Sequence, residues 1–147
     1  QRFGCDEAPR YVSWSRQNRS QLVRIPMVKG DNCRMELRSP DPACNPYLAI
    51  GLVLAAGLDG IEHRMVLPPP VNKNLFRPGE AEGLGLEMLP ATLEEAVAIA
   101  EESDFLHRVL PEELSRRYFA EELKRCEALR HAADPAEYER VHYFNAI

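Results

Sequence analysis

Residues 66–90 carry Pro68-Pro69-Pro70, Pro78 and Pro90 together with three glycines, and no other stretch limits the possible folds as strongly. Proline fixes φ and lacks an N–H donor, so neither a helix interior nor a central strand can run through such a segment. It divides the chain into a strand-leaning part and a helix-leaning part, joined by a surface connection of the length that is usually functional or mobile. Before it, Tyr11–Ser15, Leu22–Ile25 and Cys33–Arg38 read as strands, separated by polar turns such as Lys29-Gly30-Asp31-Asn32. These strands are expected to be antiparallel, and three of them alone make no closed sheet. At Asn45 the period changes. Asn45 suits an N-cap, Pro46 the first helical position, and apolar residues follow from Tyr47 to Ile61 on nearly every face, which predicts a buried helix over 45–64.

After the proline-rich stretch, three helix starts stand out. Thr92 with Glu95 forms a capping box, Pro111 opens an acidic first turn, and Asp134 with Pro135 and Glu137 forms a second box. In the Pro111 helix, Leu114, Tyr118, Cys126 and Leu129 recur at helical spacing and predict one buried stripe. Tyr138, Val141, Phe144 and Ile147 form a terminal apolar series suited to a core or a subunit contact. The expected class is α+β: strands and their connecting loops over 1–44, a buried helix over 45–64, a loop over 65–90 and a helical region over 91–147.

At 147 residues and 45% hydrophobic content the chain is long enough for one domain with a core. Eighteen Lys plus Arg against 23 Asp plus Glu leave a charge of −5, opposite to what phosphate-backbone binding needs, so nucleic acid is not expected as a partner. The longest nearly uncharged run, Asn45–Leu58, is too short for a membrane span, and the first twenty residues hold four arginines and no apolar core of a signal peptide. A soluble, unexported, cytoplasmic protein is the expectation. Cys5, Cys33, Cys44 and Cys126 show no C-x-x-C spacing and read as reduced thiols. His63, His107, His131 and His142 are scattered without zinc spacing, and Trp14 and Tyr11 suit sheet packing better than base stacking.

Chemistry concentrates in the strand region. Arg34, Glu36 and Arg38 alternate with Met35 and Leu37, so three charges share one strand face at about 7 Å spacing. Such a row is either an exposed ion-pair ladder or a site in which a carboxylate ligates a hard cation and guanidinium groups grip carboxylate or phosphate. Arg24 lies inside the apolar run Leu22–Pro26, where an unpaired guanidinium is costly, and therefore needs a partner. With Arg19 nearby, four arginines on adjacent strands could converge on a polyanion such as a nucleoside triphosphate with its metal.

These residues carry a resemblance. Gln17-Asn18-Arg19-Ser20, Arg24-Ile25-Pro26, Glu36-Leu37-Arg38-Ser39-Pro40-Asp41-Pro42, Asn45-Pro46-Tyr47-Leu48 and Ala56-Gly57-Leu58-Asp59-Gly60-Ile61 resemble class I glutamine synthetase in order and in gaps. Leu89–Ala96 and His131–Tyr143 are similar to that family's C-terminal helices, so the resemblance spans essentially the whole chain. It covers only the C-terminal part of the enzyme's catalytic domain, and the chain reads as a fragment, lacking the upstream strands that supply most metal-ligand carboxylates.

The resemblance implies a glutamate–ammonia ligase that consumes ATP, with Mg²⁺ or Mn²⁺, and passes through a γ-glutamyl phosphate. Position by position, Glu7 corresponds to the flap glutamate that takes a proton from ammonium, and Arg19 to an arginine at the transferring phosphate. By the same correspondence Arg19, Arg24 and Arg34 contact ATP and its phosphates, Glu36 is a metal ligand, and Arg38 contacts the substrate glutamate or the transferred phosphoryl group. Glutamate, ammonium and ATP are the implied small-molecule partners, and a homo-oligomer, a dodecamer in the full-length family, is the implied assembly. Arg2 lies one residue out of step with a family arginine and is left unassigned. Phe76 stands where some members carry a tyrosine that is nucleotidylated; without a hydroxyl that control should be absent. Two other readings stay open: a sister ligase joining glutamate to an amine such as a polyamine, and a non-catalytic assembly or regulatory module. The isolated segment is expected to be inactive.

Overall fold

The computed structural model describes residues 7–144. Its contacts group the chain into two units, residues up to Ala91 and residues from Thr92 onward. The class is α+β, as expected.

In the first unit, β1 (Trp14–Arg16), β2 (Val23–Ile25) and β3 (Glu36–Leu37) form a sheet in the order β1-β2-β3. The β2–β3 pair is antiparallel, with Val23 opposite Leu37 and Arg24 opposite Glu36. The β1–β2 pair is parallel, with Ser15 opposite Arg24, which corrects the expectation of antiparallel strands throughout. Parallel neighbours normally need a long crossover. Here each strand is three residues, a return of only about 10 Å, which the loop 17–22 can span. Gln17 reverses the chain with φ of 68°, in the left-handed region.

The proline-rich stretch is tied down along the strand region. Val71 N–H donates to the Trp14 carbonyl (2.8 Å), Leu89 N–H to that of Arg10 (2.8 Å), and Val12 N–H to that of Glu87 (2.9 Å). Trp14 Nε1–H donates to the Pro68 carbonyl at 2.7 Å, consistent with Trp14 as a structural residue. The interior of this unit is polar: Gln21, Ser15 and Ser20 are its most deeply buried side chains, with Leu75 beside them.

The helix α1 runs from Pro46 to Glu62, and the Asn45 side chain caps it by accepting from Tyr47 and Leu48 N–H. Its start is as expected, but its burial is not. None of its residues is buried, and Tyr47, Ile50, Leu54, Leu58 and Ile61 are exposed. An all-round apolar sequence calls for a surface on every side, and the described residues do not provide one.

The second unit holds α2 (Leu93–Glu101), α3 (Asp104–Val109), α4 (Glu112–Arg130) and α5 (Pro135–Glu139), the last continuing into a π-helical turn over Arg140–Phe144. Thr92 and Asp134 cap α2 and α5 by accepting from Glu95 and Glu137 N–H. Ser103 caps the short α3, a helix that the sequence pattern does not announce. The buried residues of α4 are Ser115, Phe119, Glu122 and Cys126: Cys126 is buried as expected, while Leu114 is exposed, so the N-terminal half of the stripe is displaced by one residue from the expected Leu114–Tyr118 line. Ser115 can face inward because its hydroxyl donates to the Glu112 carbonyl at 2.9 Å, and Glu122 because Arg125 meets its carboxylate at 2.9 Å. Across α2 and α4, Arg130 pairs with Glu94 at 2.8 Å. Of the terminal apolar series, Val141 is exposed, and Ile147 lies outside the described residues.

Candidate active site

Glu36 is the hub of the charged cluster. Because Arg24 and Glu36 are cross-strand partners in β2 and β3, their side chains leave the same face of the sheet. Arg24 Nη1 donates to Glu36 Oε2 at 2.7 Å, and Arg24 Nε donates to the Gln17 carbonyl at 3.0 Å. Arg34, two residues before Glu36 and so on the same side, donates through Nε and Nη2 to Oε1 at 3.2 and 3.0 Å. The structure thus supplies the partner that Arg24 required. The hydrogen bond from Arg24, reinforced by the charges of both arginines, holds the Glu36 carboxyl below its ordinary value against a smaller opposing effect of burial.

A depressed carboxyl favours the folded state above the unfolded-chain value near pH 4.3, and that contribution is lost as pH falls through the lower folded value. A carboxyl-carbon NMR titration of Glu36 is therefore expected to show its midpoint below the free-chain value, moving upward in Arg24→Met. A midpoint at or above the free-chain value would contradict the pairing.

Arg38 follows β3. Its backbone N–H donates to the Leu22 carbonyl at 2.9 Å, and its guanidinium is mostly covered. Nη2 lies 3.9 Å from Glu7 Oε2, a long pair, while Nη1 is buried without a hydrogen-bond partner among the described residues. An orphaned buried donor is costly unless an acceptor arrives from outside. Glu7 itself is exposed; the Cys5-Asp6 part of its segment, and Arg2, lie outside the described residues.

Arg19 sits on the turn between β1 and β2, exposed, in an open depression of about 520 Å³ shared with Arg16, Asn72, Asn74 and Phe76. Among the described residues no ion pair links it to the Glu36 cluster. The structure therefore gathers Arg24, Arg34 and Glu36 at one point, sets Arg38 beside Glu7, and places Arg19 on a separate turn. Sequence reasoning missed the buried polar residues behind that turn, Ser20 and Gln21. The Asn18-x-Ser20 pattern of an Asx turn was the available signal.

The cluster does not by itself fit a Mg²⁺ or Mn²⁺ centre. Such ions take about six oxygen ligands, yet among the described residues no three His, Cys, Asp or Glu side chains converge. Glu36, the acid assigned to the metal, has both oxygens engaged by guanidinium groups. What the arrangement can do unaided is hold anions: paired donors fixed by a carboxylate and a carbonyl, with one further donor unsatisfied.

Residues 2–143 match the family model described as glutamine synthetase, catalytic domain. The chain belongs to that family. It is 48% identical over 114 residues to a glutamine synthetase of Methanosarcina mazei, covering 76% of this chain and 26% of that protein. It is 43% identical over 123 residues to a glutamine synthetase of Methanocaldococcus jannaschii, covering 82% and 27% respectively. Among solved structures it is similar to a GmaS/ADP complex, with 32% identity and a TM-score of 0.66 over 94% of this chain and 30% of that one. The chain thus spans about a quarter of the length of the curated relatives it matches. The sequence resemblance to glutamine synthetase and the α+β class both hold.

Proposed function

We propose that this chain forms part of the catalytic domain of an ATP-dependent glutamate–ammonia ligase and supplies its anion-holding wall. The observation that carries the reading is the fixed guanidinium array: Arg24 and Arg34 locked on Glu36, with Arg38 keeping a buried donor free. Bringing the γ-carboxylate of glutamate to the γ-phosphorus of ATP sets two anions against each other. Guanidinium groups held in advance offset that repulsion without reorganising during transfer. In this reading Arg19, Arg24 and Arg34 face ATP and its phosphates, and Arg38 spends its free donor on glutamate. The ADP of the GmaS complex supports the nucleotide half.

The carboxylate oxygen attacks phosphorus and ADP leaves; ammonia then attacks the acyl carbon and phosphate leaves. Glu7, exposed on its flap, takes the proton that ammonium must lose. A divalent cation would need ligands from outside the described residues. Cytoplasmic location, a homo-oligomer and the absence of nucleotidylation at Phe76 belong to the same reading. None of the described helices is long and apolar enough to cross a membrane.

The test is phosphate release by the full-length protein with ATP, glutamate and ammonium, compared with putrescine as acceptor, alongside the isolated 147-residue chain. Turnover with ammonium by the full-length protein and none by the isolated chain is expected. Preference for putrescine would replace ammonia by an amine. Rings that form but bind no ATP would favour an assembly module.

A further inference from the structure

We propose that Ser20 and Asn18 are positioning residues: they latch residues 72–75 onto the turn 17–22 and thereby fix the backbone that carries Arg19 and braces Arg24. The proposal rests on the ligase reading, which assigns those arginines to phosphate.

Ser20 is 2% exposed, and its hydroxyl works in two directions. It accepts from Leu75 N–H at 2.9 Å and donates to Asn18 Oδ1 at 2.9 Å. Asn18 Oδ1 also accepts from Ser20 N–H at 3.0 Å, which closes an Asx turn around Arg19. The other end of the Asn18 amide donates to the Lys73 carbonyl at 2.7 Å, and the buried Gln21 Nε2 donates to the same carbonyl at 3.0 Å. Leu75, 4% exposed, lies against this knot. Three polar side chains from one turn thus converge on two backbone groups of the proline-rich stretch, more than 50 residues away in sequence.

The consequence reaches the arginines through Gln17. Its left-handed φ of 68° is a conformation that a non-glycine residue keeps only when its surroundings over-determine it. Gln17 N–H donates to the Ile25 carbonyl at 3.2 Å, and Asn18 N–H donates to the Arg16 carbonyl at 2.9 Å. The Gln17 carbonyl then points at Arg24 Nε, 3.0 Å away. Residues 17–20 are hydrogen-bonded at both ends, with the latch at one and the Arg24 brace at the other. The depression beside Arg19 is walled on its far side by Asn72, Asn74 and Phe76, so the latch also sets how far that wall stands from Arg19.

The experiment uses the full-length protein with Ser20→Ala and Asn18→Asp. Asn18→Asp keeps an oxygen for Ser20 but turns the donor facing the Lys73 carbonyl into a repelling acceptor. It removes the Asn18 tie to the Lys73 carbonyl while keeping the acceptor of the Asx turn, at a half-buried position. For both variants kcat is expected to fall by about tenfold or more, since small misplacements of catalytic groups have effects of that size. The dissociation constant for tripolyphosphate should rise, and the KM for ammonium should stay unchanged. A purely structural role would lower the melting temperature and leave kcat and tripolyphosphate affinity within about twofold of wild type, and that result overturns the proposal.

If wild type fails to turn over ATP and glutamate, the ligase reading falls separately and tripolyphosphate decides alone. Weaker binding in both variants supports the latch; unchanged binding, or none by wild type, defeats it. If Ser20→Ala does not fold, the same two outcomes are read from Asn18→Asp alone.

Discussion

Replacing Arg24 by methionine in the full-length protein is expected to lower phosphate-forming turnover by roughly 10²–10³, the range seen when one preorganised donor to a developing charge is removed. Arg24 is held at two points, Nε by the Gln17 carbonyl and Nη1 by Glu36 Oε2. Its guanidinium plane is therefore set before any substrate arrives. Methionine fills a similar volume without donors, so the loss should fall on kcat and kcat/KM more than on folding.

Lysine should restore little. An ammonium is a compact charge with no fork, and it cannot satisfy a carbonyl and a carboxylate at fixed angles while facing a phosphate. Removing Arg24 also frees one oxygen of Glu36, leaving Arg34 as its remaining ion-pair partner in the cluster. The double variant Arg24→Met with Glu36→Gln should then lose less activity than the product of the two single losses, because the pair acts as a unit. Steady-state kinetics of the four proteins measures this. Near-wild-type turnover in Arg24→Lys, or multiplicative losses in the double variant, would mean that the pair only supports the sheet.

How far the sequence could anticipate this arrangement depended on the range of each signal. Local chemistry was legible: the caps at Asn45, Thr92 and Asp134 follow from side chains that reach their own backbone within three residues. Arg24 could be marked as needing a partner because a guanidinium in an apolar run is costly wherever it sits, and the partner proved to be Glu36. Strand direction was not legible, because it hinges on a left-handed glutamine, and glutamine carries no such preference. The inward face of α4 was legible at Cys126 but misplaced by one residue in its N-terminal half, where Ser115 and Glu122 are buried through hydrogen bonds, which a count of apolar residues ignores. The knot of Ser20, Asn18 and Gln21 escaped for a related reason: its partners lie more than 50 residues along the chain, and a backbone carbonyl leaves no mark in the sequence.

The isolated 147-residue chain is expected to associate with rising concentration, and the cause is α1. Tyr47, Ile50, Leu54, Leu58 and Ile61 recur at steps of three and four, so they form one continuous stripe about 21 Å long on a 17-residue helix. Leu54 is 64% exposed and Leu58 59%, and Met65, Val66 and Leu67, which follow the helix in sequence, are exposed as well. Covering each such side chain is worth about 1.5–3 kcal/mol, so several together are enough to hold molecules together at micromolar to millimolar concentration. Leu54→Lys with Leu58→Lys interrupts the stripe at its centre with two like charges while preserving helix propensity. Sedimentation velocity over a concentration series should show mass growth for wild type and its suppression in the double variant, with far-UV circular dichroism unchanged. A wild-type chain that stays monomeric across the series would show that the exposed stripe is not adhesive. In the full-length protein the same double substitution discriminates further: if other parts of the catalytic domain cover α1, it buries two ammonium groups in apolar surroundings and must lower the melting temperature sharply, whereas an α1 that stays exposed leaves it almost unchanged.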